Sequence, residues 1–425
     1  MQQLNQLSAS EAARRLAARE ITAEQLARAC LARIEEREAA VGAWIHIDPD
    51  AVLAQARQFD AGPVRGPLHG LPLGVKDLID TADMPTAYGS PVYAGHRPRA
   101  DAACVALARA AGALVLGKTV TTEFAWFYPG KTANPHNALH TPGGSSSGSA
   151  AAVADCMVPL AYGTQTAGSI IRPASYCGIV GYKPTHGTLP RAGIKPLSDS
   201  LDTLGTLTRT VADAALFVSA VSGRDLLPKP LAQPPRIGLC RTHEWNAALP
   251  ATVAAIEHAA TALGRAGAKL TEITLPQIFA KVTQAQIDIM NYEIYAALAC
   301  ERLQHYAGLS DKLKQLLESA RRCDARRYDA AQALVASCRR SDEVFADADV
   351  LLAPSAPGEA PAGLAATGDP IFCRMWTVLQ VPAINLPCSL GPQGLPVGVQ
   401  IIGRRGDDAR ALAVAAWVHQ RLAQV

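Results

Sequence analysis

No two of the chain's ten cysteines form a C-x-x-C pair; they lie at positions 30, 104, 156, 177, 240, 300, 323, 338, 373 and 388. Such scatter excludes a zinc ribbon or a thioredoxin-like dithiol. In a chain of 425 residues it reads as reduced, mostly buried thiols of a cytoplasmic protein. An uninterrupted run of 18 apolar residues is also missing, so no membrane span is expected. The start, Met1-Gln-Gln-Leu-Asn-Gln-Leu-Ser, lacks the basic and apolar regions of a secretory signal. Charge excess is absent too. Forty basic and 37 acidic residues give a net charge of +3, which offers no reason to expect nucleic acid or an anionic membrane as partner. There is no Walker A loop, dinucleotide fingerprint or EF-hand pattern. His136 and His140 stand four apart. Pro135 and Pro142 bracket them and no glutamate completes a metalloprotease helix, so they read as loop residues rather than ligands.

What is present supports a large core: 49% of residues are hydrophobic. Length alone suggests two or three domains, and one large α/β domain with an inserted cap is equally compatible. Residues 8–40 carry helical periodicity, with Ser10 and Thr22 as candidate N-caps and Gln25 completing a capping box. Residues 68–79 read as a buried strand that ends at a lysine. A helix (101–112) and a strand (113–117) follow, and this alternation points to an α/β sheet. Four prolines mark 226–235 as a linker. Beyond it come a strand (236–240), a helix (251–266) and a strand (268–274). Residues 279–347 read as helices, and 349–354 return to the sheet. The whole stretch 226–347 is therefore expected to be a variable, mostly helical cap within one domain spanning 1–425.

Three segments carry chemistry. One is the apolar stretch Gly70-Leu-Pro-Leu-Gly-Val-Lys76-Asp77. Another is Gly143-Gly144-Ser145-Ser146-Ser147-Gly148-Ser149, followed by an alanine-rich run. The last is Gly163-Thr-Gln-Thr-Ala-Gly-Ser169-Ile-Ile-Arg172-Pro173, which sets Ser169 24 positions after Ser145. A serine hydroxyl is a poor nucleophile until a base takes its proton. A lysine can be that base only when neutral, and burial among apolar groups lowers its pKa towards that state. Leu71, Leu73, Val75, Leu78 and Ile79 supply such surroundings. A glycine-rich turn beside the nucleophile can aim backbone N–H groups at an oxyanion.

Together these segments resemble the amidase signature family. The resemblance is strong from about Leu68 to Val221, fainter from Asp349 onward, and uninformative over 225–345. It implies a single α/β domain with a central mixed twisted sheet flanked by helices. It implies Lys76 as catalytic base, Ser145 as a bridging serine after a cis peptide, and Ser169 as the acylated nucleophile. The oxyanion hole would come from the backbone of Thr166, Ala167, Gly168 and Ser169. Arg172, Gly144 and Gln165 are the expected substrate-binding residues. No metal or organic cofactor is implied. Two departures matter: Ala167 stands where many relatives have glycine, and arginine lies at Ser169+3. Both variants resemble the smaller bacterial members, malonamidase among them. On that likeness Arg172 would grip a substrate carboxylate, with a scaffold role as the alternative.

The expected activity is hydrolysis of a small carboxamide. The expected partners are a small-molecule amide and no nucleic acid or membrane, with a homodimer left open by the resemblance. Two alternatives stand beside it: the amidase component of a tRNA-dependent amidotransferase, and a non-catalytic binding protein on the same fold. Gly144-Ser-Ser146-Ser-Gly148 also matches G-x-S-x-G. That elbow needs an apolar strand before the turn, and Asn137-Ala-Leu-His-Thr-Pro142 is polar and proline-broken. Asp199 and Asp202 could form a carboxylate pair, or act as turn formers and caps.

Overall fold

The computed structural model describes residues 3–340, 342–345 and 347–423. Residues 341 and 346 of the expected cap lie outside the described residues. Eleven strands form one mixed sheet: β1 (Trp44–His46), β2 (Pro72–Lys76), β3 (Leu114–Thr119), β4 (Leu160–Gln165), β5 (Val180–Lys183), β6 (Thr203–Thr208), β7 (Arg236–Leu239), β8 (Lys269–Glu272), β9 (Val350–Pro354), β10 (Ala383–Leu390) and β11 (Pro396–Ile402). Their order is β1-β3-β2-β4-β6-β5-β10-β11-β9-β7-β8. β3, β2 and β4 run parallel, as do β9, β7 and β8, and antiparallel pairings join the two blocks.

Fourteen α-helices among the described residues flank this sheet. The N-terminal half contributes α1 (Ala9–Ala17), α2 (Ala23–Val41), α3 (Pro49–Ala61), α4 (Ala103–Ala110), α5 (Ser147–Ala154), α6 (Ile171–Tyr176) and α7 (Val211–Ser222). The rest are α8 (Pro250–Arg265), α9 (Val282–Ala297), α10 (Ala299–Gln304), α11 (Asp311–Ala320), α12 (Ala325–Arg339), α13 (Ile371–Val378) and α14 (Asp408–Leu422). α2 begins with the expected Thr22–Gln25 capping box and stops at Gly42, whose φ of 62° favours a residue without Cβ. α1 is capped by Ser8, two residues before the expected Ser10, because the Ser8 hydroxyl accepts from the Glu11 N–H.

Strand periodicity divides the core. Val350 and Leu352 of β9 belong to one apolar cluster, with α7, α8 and α14. Leu351 and Ala353, alternating with them, belong to the other, with α9, α11, α12 and α13. Successive strand residues face opposite sides, so the sheet separates two hydrophobic layers. The region 226–347 therefore differs from the expected cap. Its first part builds the sheet, since β7 pairs in parallel with both β9 and β8. Only α9–α12 form a helical layer over the second face.

Candidate functional site

The site forms where β2 and β4 end side by side. Lys76 is the last residue of β2, and its neighbour β4 leads through 166–170 into α6. The glycine/serine run is no linker. It enters α5 beneath the sheet edge, where a Cβ on Gly148 would lie 2.2 Å from the Ala43 carbonyl oxygen. Close backbone approach therefore selects glycine there. The peptide bond Gly144–Ser145 is cis.

Lys76 is wholly buried. Its Nζ donates to Ser145 Oγ at 2.7 Å and to Thr164 Oγ1 at 2.7 Å. Burial pushes its pKa well below the usual lysine value; the Asp202 carboxylate opposes that shift and Arg172 adds to it. Ser145 and Ser169 share a small pocket of about 10 Å³ with Thr166, Ala167, Arg172, Trp126, Phe127 and Met290. Among the described residues, no hydrogen bond runs between the two serine hydroxyls.

The loop carrying Ser169 is held by its carbonyls. Thr377 Oγ1 donates to the Ala167 carbonyl (2.7 Å), and Gln286 Nε2 donates to the Thr166 carbonyl (3.0 Å). The Gly168 carbonyl accepts from the Arg172 N–H at 2.9 Å. With the oxygens turned outward, the N–H groups of Thr166, Ala167, Gly168 and Ser169 find no acceptor among the described residues. Gly168 has no room for a side chain: a Cβ would meet Pro370 at 2.8 Å and Cys373 at 3.0 Å. Asp202 steadies the same loop by accepting from Thr166 Oγ1 at 2.5 Å.

Two expected substrate-binding residues bond the scaffold. Gln165 Oε1 accepts from the Ile170 and Ile171 N–H groups (2.8 and 3.0 Å), and its Nε2 donates to Thr377 Oγ1 (2.9 Å). It satisfies the start of α6 rather than a ligand. Arg172 Nη2 donates to the Gly144 carbonyl at 2.7 Å and to Thr367 Oγ1 at 3.2 Å. Its Nε and Nη1 are buried without partners, and the residue lines the serine pocket. The arginine braces the turn before Ser145 with one nitrogen, the scaffold role that stood as the alternative. Gly144 contributes that carbonyl, and Thr367 packs against its Cα.

Other sequence readings resolve as follows. Ser146 is fully buried, and its Oγ bonds both the N–H and the carbonyl of Thr164 at 3.3 Å, so it lies in the scaffold and not at an elbow. His136 and His140 bond the Cys177 and Ala360 carbonyls. No group of three His, Cys, Asp or Glu residues could hold a metal among the described residues. Asp199 and Asp202 are not a pair, since Asp199 is exposed beside Arg191. Sequence reasoning missed Thr164, Gln286, Thr367 and Thr377, whose roles arise from tertiary contacts. Thr164 alone had a local signal: it stands two residues before Thr166, at the end of β4.

The family model described as Amidase matches residues 25–412. The chain belongs to the amidase family. It is an amidase, a hydrolase of amide C–N bonds. It is similar to a glutamyl-tRNA(Gln) amidotransferase component of Chloroflexus aggregans, 36% identical over 470 aligned positions, covering 97% of this chain and 96% of that one. A solved structure described as an amidase superposes with a TM-score of 0.90 at 29% identity, covering 98% and 100% of the two chains. The peptide amidase of Stenotrophomonas maltophilia superposes at 0.84 with 31% identity, covering 98% and 97%.

The amidotransferase relative overturns the expected partner set of a small-molecule amide without nucleic acid. By its name it is one subunit of an enzyme of glutamyl-tRNA(Gln). Net charge misled because it bounds only the binding a chain performs with its own surface. One component of an assembly can serve a nucleic-acid substrate that another chain holds. No described helix is long and apolar enough to cross a membrane.

Proposed function

We propose that this amidase is the amide-cleaving component of an amidotransferase, releasing ammonia from a carboxamide for transfer to an acylated tRNA. The observation that supports this setting is the 36% identity, over nearly the whole chain, to one component of such an enzyme. The chemistry is supported by a buried lysine 2.7 Å from Ser145 at the floor of the serine pocket.

In this reading Ser169 Oγ attacks the carbonyl carbon. Its proton passes to Ser145 Oγ, whose own proton moves to the neutral Lys76 amine. Thr164 stays as the acceptor that orients that amine. The developing oxyanion meets the unpaired N–H groups of residues 166–169, preorganised because the carbonyls of residues 166–168 are already bound. Collapse breaks the C–N bond, and Lys76 returns the proton through Ser145 to the leaving nitrogen. Water then hydrolyses the acyl-Ser169 ester by the same relay.

The structural likeness to amidases and to a peptide amidase favours a second reading, in which the chain hydrolyses a carboxamide on its own. One measurement separates the two. Purified chain is given a panel of primary amides and ammonia release is followed, alone and with the other amidotransferase components and acylated tRNA. The amidotransferase reading expects little turnover alone and strong activation in the assembly. Full turnover alone, unchanged by tRNA, would overturn it in favour of the second reading.

A further inference from the structure

We infer that Arg374 reads a carboxylate on the substrate, so that the carboxamide this chain cleaves is anionic. The inference rests on the amidase reading of Ser169 and extends it to the group that selects the substrate.

Behind the serine pocket opens a cavity of about 670 Å³, with Trp126, Phe127 and Met290 in both walls. It adjoins the serine pocket through these shared residues and is large enough for the body of a substrate. Arg374, on α13, lines this cavity and is only 9% exposed. Its Nη1 donates to Gln286 Oε1 at 2.6 Å. Nε and Nη2 donate to no described residue, yet unlike the corresponding atoms of Arg172 they are not sealed from the cavity. No carboxylate lies within 4.0 Å of the guanidinium among the described residues. Asp369, the acidic residue of the lining, is exposed at the rim. Burial lowers the Arg374 pKa to about 10, with Asp369 opposing and Arg172 adding to the shift.

A guanidinium buried without a counter-ion is costly to hold charged, and a buried arginine normally has an acid partner. Here the open face of the fork points into the substrate space, and a planar carboxylate is the group that such a fork matches. The second cation of the lining, Lys312, is exposed and donates to the Ala365 carbonyl, so it adds field rather than a contact.

Arg374 also has a scaffold link, because Gln286 carries on to the Thr166 carbonyl at 3.0 Å. The test must therefore move substrate charge and not activity alone. Monoamides of dicarboxylic acids are compared with unsubstituted alkanamides of the same chain length, using the full chain in its active assembly. Arg374→Gln is expected to lower kcat/KM for the acidic amides roughly ten- to a hundredfold, and for the neutral amides less than about threefold. Arg374→Lys should recover part of the loss. In parallel, succinate and glutarate should raise the melting temperature of the intact chain over matched chloride, and fail to do so for Arg374→Gln. That second readout needs no turnover, so it tests the inference even if the amidase reading fails. Equal losses on both amide classes, or dicarboxylate stabilisation that survives in Arg374→Gln, would assign Arg374 to the support of Gln286 and sink the proposal.

Discussion

The pocket around Ser169 and the helical layer α9–α12 are held by different means. In the pocket, Ser145, Ser169 and Lys76 are all buried, and hydrogen bonds fix the Lys76 amine and the carbonyls of the Ser169 loop. The helical layer packs through its apolar faces, but reaches the body through a few polar latches. Glu301 takes Tyr93 and Lys195 at 2.5 Å each, and Glu293 takes Ser198 and Ser200. The contrast separates two jobs. Bond cleavage needs groups that do not reorganise as charge develops. Substrate choice needs a wall whose residues can differ while the machinery beneath stays the same. Gln286 and Arg374 are where the two meet, since one contacts the Ser169 loop and the other the cavity.

The sharpest break in the comparison is Ser169→Ala. Turnover should fall by several orders of magnitude with the fold intact, since the hydroxyl makes no structural bond. A fluorophosphonate label should map to Ser169 in the parent. A label on Ser146 would reject the assignment, because that hydroxyl is locked to the Thr164 backbone.

Lys76→Ala should cost nearly as much, because no other base touches Ser145. The intact enzyme needs the neutral amine, so its rate should rise with pH through the lowered lysine pKa. Stability carries the same signature. The folded state binds fewer protons than the unfolded chain between the lowered pKa and the usual 10.5, so stability should rise with pH across that window. Lys76→Met should remove that slope in denaturant titrations at stepped pH. An unchanged slope would mean that the buried amine keeps its ordinary pKa.

Much of the pocket was legible in the chain itself. The spacing of Lys76, Ser145 and Ser169 and their apolar or glycine-rich settings are local patterns, and the structure brings the serines into one pocket with Lys76 behind Ser145. Strands such as β2, β3 and β9 were readable as short apolar runs. Arg172 and Gln165 show where such patterns stop. A polar residue beside a nucleophile looks the same in sequence whether it bonds substrate or backbone, and only the positions of Gly144 and the start of α6 decide. The cap boundary failed because β7 pairs with β9, more than 100 residues further on, and carries β8 on its other side. Arg374 carried no local signal, since an arginine in Phe372-Cys-Arg-Met-Trp376 gives no sign of being unpaired.

Asp202 tests whether the loop under Ser169 is as fixed as its bonds suggest. Its carboxylate accepts from Thr166 Oγ1 and from the Leu197 and Ser198 N–H groups. Asp202→Asn places an N–H donor among those donors, which should lower kcat about tenfold and stability by about 1–3 kcal/mol. It also removes the charge that holds the Lys76 pKa up, so the acid limb of the pH–rate profile should move to lower pH. A profile that stays in place would separate Asp202 from the lysine and leave it as a loop brace only.

Glu293→Gln should give the smallest effect, and the most informative for the helical layer. Glu293 Oε2 accepts from Ser198 Oγ at 2.5 Å and the Ser200 N–H at 3.0 Å, while Oε1 accepts from Ser200 Oγ at 2.6 Å and Tyr328 OH at 3.0 Å. These bonds tie α9 to the loop that ends at Asp202, without touching Ser145, Ser169 or Lys76. Glutamine keeps one acceptor oxygen and loses the charge, weakening the latch by about 1 kcal/mol. If the layer only shapes the cavity, KM should rise about three- to tenfold while kcat holds. The rate of fluorophosphonate labelling at Ser169 should not change, because so small a probe needs little of the wall. A fall in labelling equal to the fall in kcat/KM would show that the latch reaches the nucleophile loop through Asp202. The pocket and the helical layer would then act as one unit.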